Sequence, residues 1–515
     1  MVKRMKMKKY IQSMMAFAAI VSFASCSSED NNSTIENESA TKVMTFTATQ
    51  EGDEQSTRAA ISSTESKVIN WQEGDQISIF DGKTNNQFTL KNGAGTKSAT
   101  FQGNAATAAK YTAVYPYQSE ASYDTSNGKV TGITLKPTQN ATANSFDKEA
   151  ALMIAEGDNT TLTFKNVVGY VKVTPKFACS KIVLQAAGES EYLAGMCTLS
   201  YGDGMPSIAF TSEQSTSITL LGTITANTVY YIAVPAVTLT AGWSISFTDN
   251  TGDVYTRKGS NSITFKRNTI INLGEFSRTD NNLKLTLKEN GKVPADKQVD
   301  MGVFNIGGTN YRLIFAKSNL TTTGLAASES DYGDYYAWGA REPWYSSIDK
   351  SKSPWTATWE KSGGYTEANA PTLSKTYNAN DVLSSSDDAA NVILGGDWQL
   401  PTTEIWVALY GANNDKVYWG SDGNKGLETI SEIKGMKITK KDDSNTYIFL
   451  PAAGYVSKDT FFFVGSGGYY QSGTASSSTK AYCLEFNKNN YVLEQSSSLR
   501  YLGHPVRPVR LVPVD

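Results

Sequence analysis

The chain has 515 residues, a formal net charge of −3 and a single histidine, His504. This length accommodates two to four domains, and the small net charge argues against nucleic acid as a partner. One histidine argues against histidine-based metal sites and against Ser-His-Asp or Cys-His catalysis, so we expect no catalytic residue, metal or cofactor. Calcium at the acidic turns "GDW", "DGN" and "KDDSN" is the alternative to solvated turns there.

The first 26 residues have the pattern of a lipoprotein signal peptide. Basic residues precede a mostly apolar, uncharged run from Ile11 to Ala24, which is shorter than the roughly 20 residues that span a membrane. Small residues stand just before Cys26, and the segment resembles a bacterial lipobox. The resemblance implies cleavage before Cys26 and acylation of this residue, which would anchor the protein in a membrane. An ordinary secretory signal with an incidental Cys26 is the alternative.

Residues 27–42 are polar and acidic, which predicts a disordered tether. Glu29 and Asp30 follow the cysteine closely. In lipoproteins of the Bacteroidetes type, such acids resemble a signal for export to the outer face of the outer membrane. A plain solubilising linker is the alternative.

Three cysteines remain if Cys26 carries lipid: Cys179, Cys197 and Cys483. An odd number argues against a disulfide framework. A bridge between Cys179 and Cys197 and a pair of buried thiols both remain open.

Residues 43–278 show short runs of alternating apolar and polar residues, such as "VMTFTAT", "QISIFDG" and "YYIAVPA", separated by Gly, Asn, Asp and Pro turns. This pattern is typical of β-sandwiches or barrels. A polar break from Glu156 to Thr161 predicts two units, 43–158 and 159–278.

The opening of this region resembles the fimbrillin-like proteins. A first strand is followed by Thr57-Arg58, then by Trp71, and then by Gly74-Asp75 before an apolar strand. The segments "YTAVYPY", "LTFKNVVGYVKV" and "YYIAVPA" also match this family in order. The resemblance implies two tandem Greek-key β-sandwiches on a lipid-anchored precursor.

The same resemblance gives Arg58 a role. In pilus-forming members, a surface protease cuts after an arginine and releases the first strand, and a strand of the next subunit fills the groove by β-strand addition. Arg58 follows a polar run from Gln50 to Thr57, which predicts access for a protease. The alternative is that Arg58 is a solvated loop residue in a protein that is never assembled.

After a charged linker, 279–301, the composition changes, and seven of the nine tryptophans lie between Trp338 and Trp419. The motifs "DYGDYYAWGAREPW", "GGDWQLPTTEIWVALY" and "LGHPVRPVR" resemble the Fibrobacter succinogenes major paralogous domain, whose fold is related to C-type lectins and formylglycine-generating enzymes. The resemblance implies an α+β, C-type-lectin-like domain over 302–515 in an otherwise mainly β chain. The related enzymes rely on paired cysteines, and this domain has only Cys483, so we predict no enzyme.

The segment "WQLPTTEIWVALY" predicts one helix, with Thr402 as its N-cap. Trp398 and Trp406 are expected in the core, because Trp406 shares one helical face with Ile405 and Leu409. "VRPVR" predicts a closing strand with Arg507 and Arg510 on opposite faces.

Trp344, Trp355 and Trp359 lie in a segment rich in Ser, Lys, Gly and Pro that predicts a long loop. Exposed aromatic rings on such a loop can stack on sugars or anchor a protein partner, so these three residues are the candidate ligand-binding site. The alternative is that the rings hold the loop onto its own domain.

Two functions follow from these patterns. The first is an outer-membrane, surface-exposed lipoprotein of fimbrial type, acting as a tip or accessory adhesin with a lectin-like head. The second is a surface glycan-binding lipoprotein that captures polysaccharide and does not polymerise. The expected partners are the membrane, other fimbrial subunits, and a glycan or a host or bacterial surface protein.

Overall fold

The computed structural model describes residues 41–51, 70–280, 282–361, 363–490 and 492–514. Strands account for 53% of the structure and helices for 6%, which confirms a mainly β chain. No helix within these ranges is long and apolar enough to cross a bilayer.

A closed barrel forms the first part of the described structure. The first ten strands are β1 (Lys42–Gln50), β2 (Gln76–Phe80), β3 (Asn85–Asn92), β4 (Ser98–Ala105), β5 (Tyr111–Tyr115), β6 (Ser122–Asp124), β7 (Lys129–Leu135), β8 (Thr138–Asn140), β9 (Met153–Gly157) and β10 (Thr161–Asn166), with a short 3-10 helix at Lys148–Ala150. Seven of them pair in the order β1-β10-β9-β5-β2-β3-β4, and β4 returns to β1. The prediction of two packed sheets is wrong for this unit, which has one sheet that closes on itself. The sheet closes because β1 is hydrogen-bonded on both of its edges, to β10 and to β4.

Two facing sheets enclose the core of the second part. Its strands are β11 (Val168–Pro175), β12 (Cys179–Ala186), β13 (Ala194–Gly202), β14 (Met205–Ser215), β15 (Ser217–Ile224), β16 (Tyr230–Pro235), β17 (Val237–Leu239), β18 (Trp243–Asp249), β19 (Val254–Gly259), β20 (Ile263–Phe265), β21 (Ile270–Phe276) and β22 (Lys284–Thr286). The sheets β16-β11-β21 and β22-β19-β18-β12-β15-β8 contribute alternate residues, such as Val171 and Ile245, to one shared core. The second part also contains the strand pairs β13–β14 and β17–β20.

Strand pairing crosses the predicted boundary at residue 158 in both directions. β10 follows that boundary but belongs to the barrel, whereas β7 and β8 precede it and pair with β13 and β15. A core that includes Val114, Ile133 and Leu199 joins the barrel to the sheet β14-β13-β7-β6. The two units are thus interlocked, because the chain segment around residues 122–140 leaves the barrel to complete the second unit.

The predicted linker 279–301 is also structured. β22 adds to the large sheet by pairing with β19, a 3-10 helix covers Ala295–Lys297, and the first strand of the C-terminal domain begins at Gln298. The linker therefore ties the two units together, since its backbone is hydrogen-bonded to both.

The C-terminal domain contains many short strands and two short α-helices. They are β23 (Gln298–Ile306), β24 (Thr309–Ala316), β25 (Leu320–Thr321), β26 (Gly324–Leu325), β27 (Tyr335–Tyr336), β28 (Tyr345–Asp349), β29 (Thr356–Trp359), α1 (Ala389–Leu394), α2 (Thr403–Gly411), β30 (Val417–Trp419), β31 (Glu428–Ile430), β32 (Ile433–Lys440), β33 (Asp443–Pro451), β34 (Tyr455–Ser457), β35 (Thr460–Phe462), β36 (Gly467–Ala475), β37 (Lys480–Asn487), β38 (Val492–Leu499), β39 (His504–Pro505) and β40 (Val509–Pro513), with 3-10 helices at Glu367–Asn369 and Ser421–Gly423.

The sheet β23-β24-β40 divides two cores of this domain. Leu313 and Phe315 point into a core with α2, whereas Ile314 and Ala316 point into a core with α1 and Trp398. This is the period-2 alternation of a strand that is covered on both faces. The prediction that Trp398 and Trp406 are core residues is confirmed, since both side chains are fully buried.

The predicted start of α2 is confirmed as well. Thr402 is the N-cap, and its hydroxyl accepts a hydrogen bond from the backbone N–H of Ile405 at 3.4 Å. Capping of this kind satisfies one of the N–H groups that a helix leaves free at its beginning.

Candidate functional sites

The first candidate site is β1, the strand that closes the barrel. It is antiparallel to β4 from Lys42↔Ala105 to Thr49↔Ser98, and parallel to β10 from Thr47↔Thr161 to Gln50↔Phe164. Its inward side chains, Phe46 and Ala48, are fully buried in the barrel core. Removing β1 would therefore expose two rows of backbone groups and an apolar slot between β4 and β10.

A partly buried ion pair holds the end of β1 in place. Glu51 follows the strand directly, and its carboxylate accepts hydrogen bonds from both terminal nitrogens of Arg267, the shortest at 2.7 Å. The backbone N–H of Asn166 also donates to Glu51, at 2.6 Å. Forked arginine–carboxylate pairs are among the stronger charged contacts, so this clamp stabilises the closed barrel.

The Trp71 indole contributes from inside the barrel. Its Nε1–H donates to the carbonyl of Ala48 at 3.2 Å, and its ring makes edge contacts with Phe101, Tyr115 and Phe164. Trp71, which the sequence motif contains, is therefore a core residue whose indole is hydrogen-bonded to the backbone of β1. Two other predicted site residues, Cys26 and Arg58, lie outside the described residues.

The second candidate site consists of Trp344, Trp355 and Trp359, which the sequence predicts to be exposed on a long loop. In the structure this segment is the hairpin β28–β29, and Tyr345 pairs with Trp359. Trp344 is only 7% exposed, whereas Trp355 and Trp359 are half-buried. The expectation of an exposed Trp344 is wrong, because its ring is covered by its own domain.

All three rings pack on neighbouring aromatic side chains. Trp344 stacks on Tyr365 with ring centres 4.6 Å apart, and Trp359 packs on Phe461 at 6.0 Å. Trp355 makes edge contacts with Phe461 at 5.6 Å and with Tyr332 at 4.8 Å. The cluster has the geometry of a small satellite core under a hairpin. This favours the alternative that the three rings hold the segment onto its own domain.

We expect Trp359→Ala to lower the free energy of unfolding by about 1–2 kcal/mol, because a half-buried ring loses part of its apolar burial. Urea unfolding followed by circular dichroism measures this change. Leu221→Ala is the matched control, since Leu221 is 50% exposed on β15 and its loss should leave the unfolding free energy nearly unchanged. If Trp359→Ala kept the stability of the unmodified chain but lost ligand binding, the result would support the prediction that this segment is a binding loop.

The exposed aromatic side chains of the described residues lie elsewhere, at Phe462 and Phe463. The sequence patterns described above do not point to these two residues. The available signal was three consecutive phenylalanines, "FFF", followed by the flexible residues "VGSGG", a combination that suits a turn better than a core strand.

The three cysteines among the described residues are not reactive nucleophiles. Cys179, Cys197 and Cys483 are buried free thiols, so the open question between a bridge and two thiols is decided in favour of thiols. Burial raises the pKa of each to about 12, which keeps these side chains protonated at neutral pH. A protonated thiol is a poor nucleophile.

Comparison with known proteins finds no matching family model and no matching curated protein. Among solved structures, a fimbrial protein from Bacteroides ovatus aligns over 86% of this chain and 95% of its own length, at 12% identity and a TM-score of 0.25. The tip fimbrial protein Mfa3 from Porphyromonas gingivalis, with a C-terminal truncation, aligns over 48% of this chain and 98% of its own, at 10% identity and a TM-score of 0.21. A protein from Bacteroides uniformis assigned to cell adhesion aligns over 42% and 91%, at 17% identity and a TM-score of 0.29.

Proposed function

We propose that this protein is a surface-anchored adhesin of fimbrial type, in which β1 is a replaceable closing strand and the C-terminal domain is the binding head. The observation that carries the proposal is the position of β1. This strand closes the barrel, pairs on both edges, and is followed within a few residues by Arg58 in the sequence.

Cleavage after Arg58 would break the covalent connection between β1 and the other strands of the barrel. Departure of β1 would leave β4 and β10 with unpaired N–H and C=O groups, beside the slot that Phe46 and Ala48 occupy. Exposed strand edges recruit another strand, and the strand of a second subunit would complete the barrel by β-strand addition.

Acylation of Cys26 would anchor the protein in the outer membrane, and Glu29 and Asp30 would direct it to the outer face. The residues between Cys26 and the start of β1 at Lys42 would form the tether. Cys26 and β1 are on the same side of Arg58. Departure of β1 after the cut would therefore release the chain from its anchor and open its barrel together.

The C-terminal domain favours a tip or accessory position. Its last strand, β40, is hydrogen-bonded to β24, and Val509 is fully buried. A strand integrated in this way is not free to fill a neighbour's barrel. The same observation also supports the second candidate function, a surface glycan-binding lipoprotein that does not polymerise.

We expect limited trypsin treatment of the folded protein to cut first after Arg58. The cut chain should then lose β1 and bind a synthetic peptide with the sequence of residues 42–51, since this peptide carries the same inward side chains. Mass spectrometry identifies the cut, and fluorescence anisotropy of the labelled peptide reports binding.

Two variants sharpen this experiment. Arg58→Ala combined with Lys67→Ala, which removes the other trypsin site between β1 and Asn70, should resist the first cut and bind no peptide. Glu51→Gln weakens the clamp to Arg267 and should speed release of β1 after cleavage at Arg58. A chain that is cut after Arg58 but retains β1 and excludes the peptide would favour the function without polymerisation.

A further inference from the structure

The C-terminal domain carries an exposed group of aromatic rings, which we call the aromatic platform: Tyr455, Phe462, Phe463 and Tyr469. Phe462 is 39% and Phe463 is 54% exposed, and they are the only strongly exposed phenylalanine, tyrosine or tryptophan rings among the described residues. Phenylalanine side chains are usually buried, so two adjacent exposed ones are uncommon. A cluster of exposed aromatic residues indicates contact with a ligand or partner.

Tyr455 contacts each of the other three rings, and Phe463 also contacts Tyr469. Tyr455 stacks on Phe462 with ring centres 5.4 Å apart and planes 20° apart, and it meets Tyr469 edge-on at 5.0 Å. Phe463 packs on Tyr469 at 5.7 Å. The rings therefore form one continuous surface.

A neutral imidazole supports the platform from below. His504 is buried and stacks on Tyr455 at 5.8 Å, while its two ring nitrogens contact the carbonyl of Tyr469 and the hydroxyl of Ser498. Burial lowers the pKa of His504 to about 4, so the ring is uncharged at neutral pH. The single histidine of the chain thus has a structural role.

The backbone holds Phe463 in an uncommon conformation. Its φ is +58°, in the left-handed region that bulky residues rarely adopt. Its carbonyl accepts hydrogen bonds from the N–H groups of Ser466 and Gly467, both at 3.0 Å, which fix the turn. Strained, well-supported positions of this kind cluster at ligand sites, where a pre-ordered surface reduces the entropy lost on binding.

Polar groups border the rings on one side. Glu485 lies opposite Tyr469 in the sheet and accepts a hydrogen bond from the Tyr469 hydroxyl at 3.3 Å. The hydroxyl of Ser496 donates to the other carboxylate oxygen at 2.9 Å. Each oxygen of a carboxylate accepts more than one hydrogen bond, so Glu485 can also accept from the hydroxyl of a ligand.

We propose that the aromatic platform is a binding site for a neutral glycan, with a sugar ring stacked on Phe462 and Phe463 and its hydroxyls directed toward Glu485 and Tyr469. The negative face of an aromatic ring attracts the weakly positive C–H groups of a pyranose, and a carboxylate accepts from sugar hydroxyls. The charge of Glu485 disfavours acidic sugars. This inference rests on the proposed binding role of the C-terminal domain and assigns that role to residues other than the tryptophans of the hairpin.

The test uses the full chain and three soluble neutral polysaccharides: starch, arabinoxylan and galactomannan. Affinity electrophoresis and calorimetry should detect binding to at least one of them. Phe463→Gly is the decisive variant, because glycine adopts the positive φ without strain and keeps the turn while removing the ring. We expect it to weaken binding at least tenfold, and Tyr469→Phe to weaken it about threefold through the lost hydroxyl.

Leu221→Ala is the matched control, since Leu221 is 50% exposed on β15, far along the chain from the platform, and its loss should leave binding unchanged. Thermal melts confirm that each variant is folded. Binding by none of the polysaccharides, or equal binding by Phe463→Gly and the unmodified chain, overturns the inference.

Enzymatically deglycosylated mucin serves as the probe for a protein partner. If Phe463→Gly loses binding to this polypeptide and not to a polysaccharide, the platform is a protein contact and the glycan inference is wrong. Strand exchange after Arg58 is measured independently, so its failure would count against the fimbrial role without affecting this result.

Discussion

Trp406→Ala is expected to lower the free energy of unfolding by about 3–5 kcal/mol, the range for truncation of a large buried aromatic residue. Trp406 lies on α2, is fully buried, and packs on Phe315 of β24 with ring centres 5.8 Å apart. Its Nε1 has no hydrogen-bond partner among the described residues. The loss therefore comes from packing: the substitution leaves a cavity between α2 and the central sheet of the domain.

Denaturant unfolding followed by tryptophan fluorescence and circular dichroism measures this effect. Trp406→Phe is the matched control and should cost clearly less, because the phenyl ring keeps much of the contact with Phe315. A loss below about 1 kcal/mol for the alanine variant would contradict the assignment of Trp406 to the core.

Asp253→Ala is expected to have a similarly large effect, about 3–5 kcal/mol, because it leaves the charge of Arg510 buried without a carboxylate partner. The two side chains are 1% and 0% exposed, and their charged atoms are 2.8 Å apart. Arg510 also donates through Nε to Gln298 at 3.0 Å, and Asp253 accepts from the backbone N–H of Lys288 at 2.9 Å. The pair connects the turn after β18 with β40, and so joins the second β unit to the C-terminal domain.

A double-mutant cycle separates the charge from the packing. Asp253→Ala combined with Arg510→Met should recover most of the stability lost in the single variant, since no isolated charge remains. Lys352→Ala is the comparison at the surface, where the partner Asp349 is 42% exposed and no measurable change is expected. Equal stability of Asp253→Ala and the unmodified chain would show that water reaches Arg510.

Local patterns account for the parts of the fold that sequence predicts well. Period-2 runs predict the strands of the first 278 residues, and "PTTEIW" predicts where α2 begins and which face it buries. Each of these signals depends on residues within a few positions of one another. Capping by Thr402 and alternation along β10 are local properties, so they can be predicted without knowing which distant residues pack against these segments.

Predictions that depended on distant residues were less successful. β10 pairs in parallel with β1, more than 100 residues earlier, so the polar break at Glu156 to Thr161 is a turn within the barrel and not a boundary between units. Trp344 lies in a polar segment yet is buried, because Tyr365 covers its ring. Neither fact is encoded in the neighbouring residues.

By itself, then, the sequence determined the mainly β class, the cap and buried face of α2, and the core positions of Trp398 and Trp406. Only the tertiary structure decided that β1 closes a barrel and that Arg510 pairs with a carboxylate of another unit. It also decided that, among the described residues, the exposed aromatic rings are Phe462 and Phe463. The physical reason is that burial depends on what covers a side chain. For Trp344 and Phe463 alike, the covering residues, or their absence, are set by strands that meet only after the chain has folded.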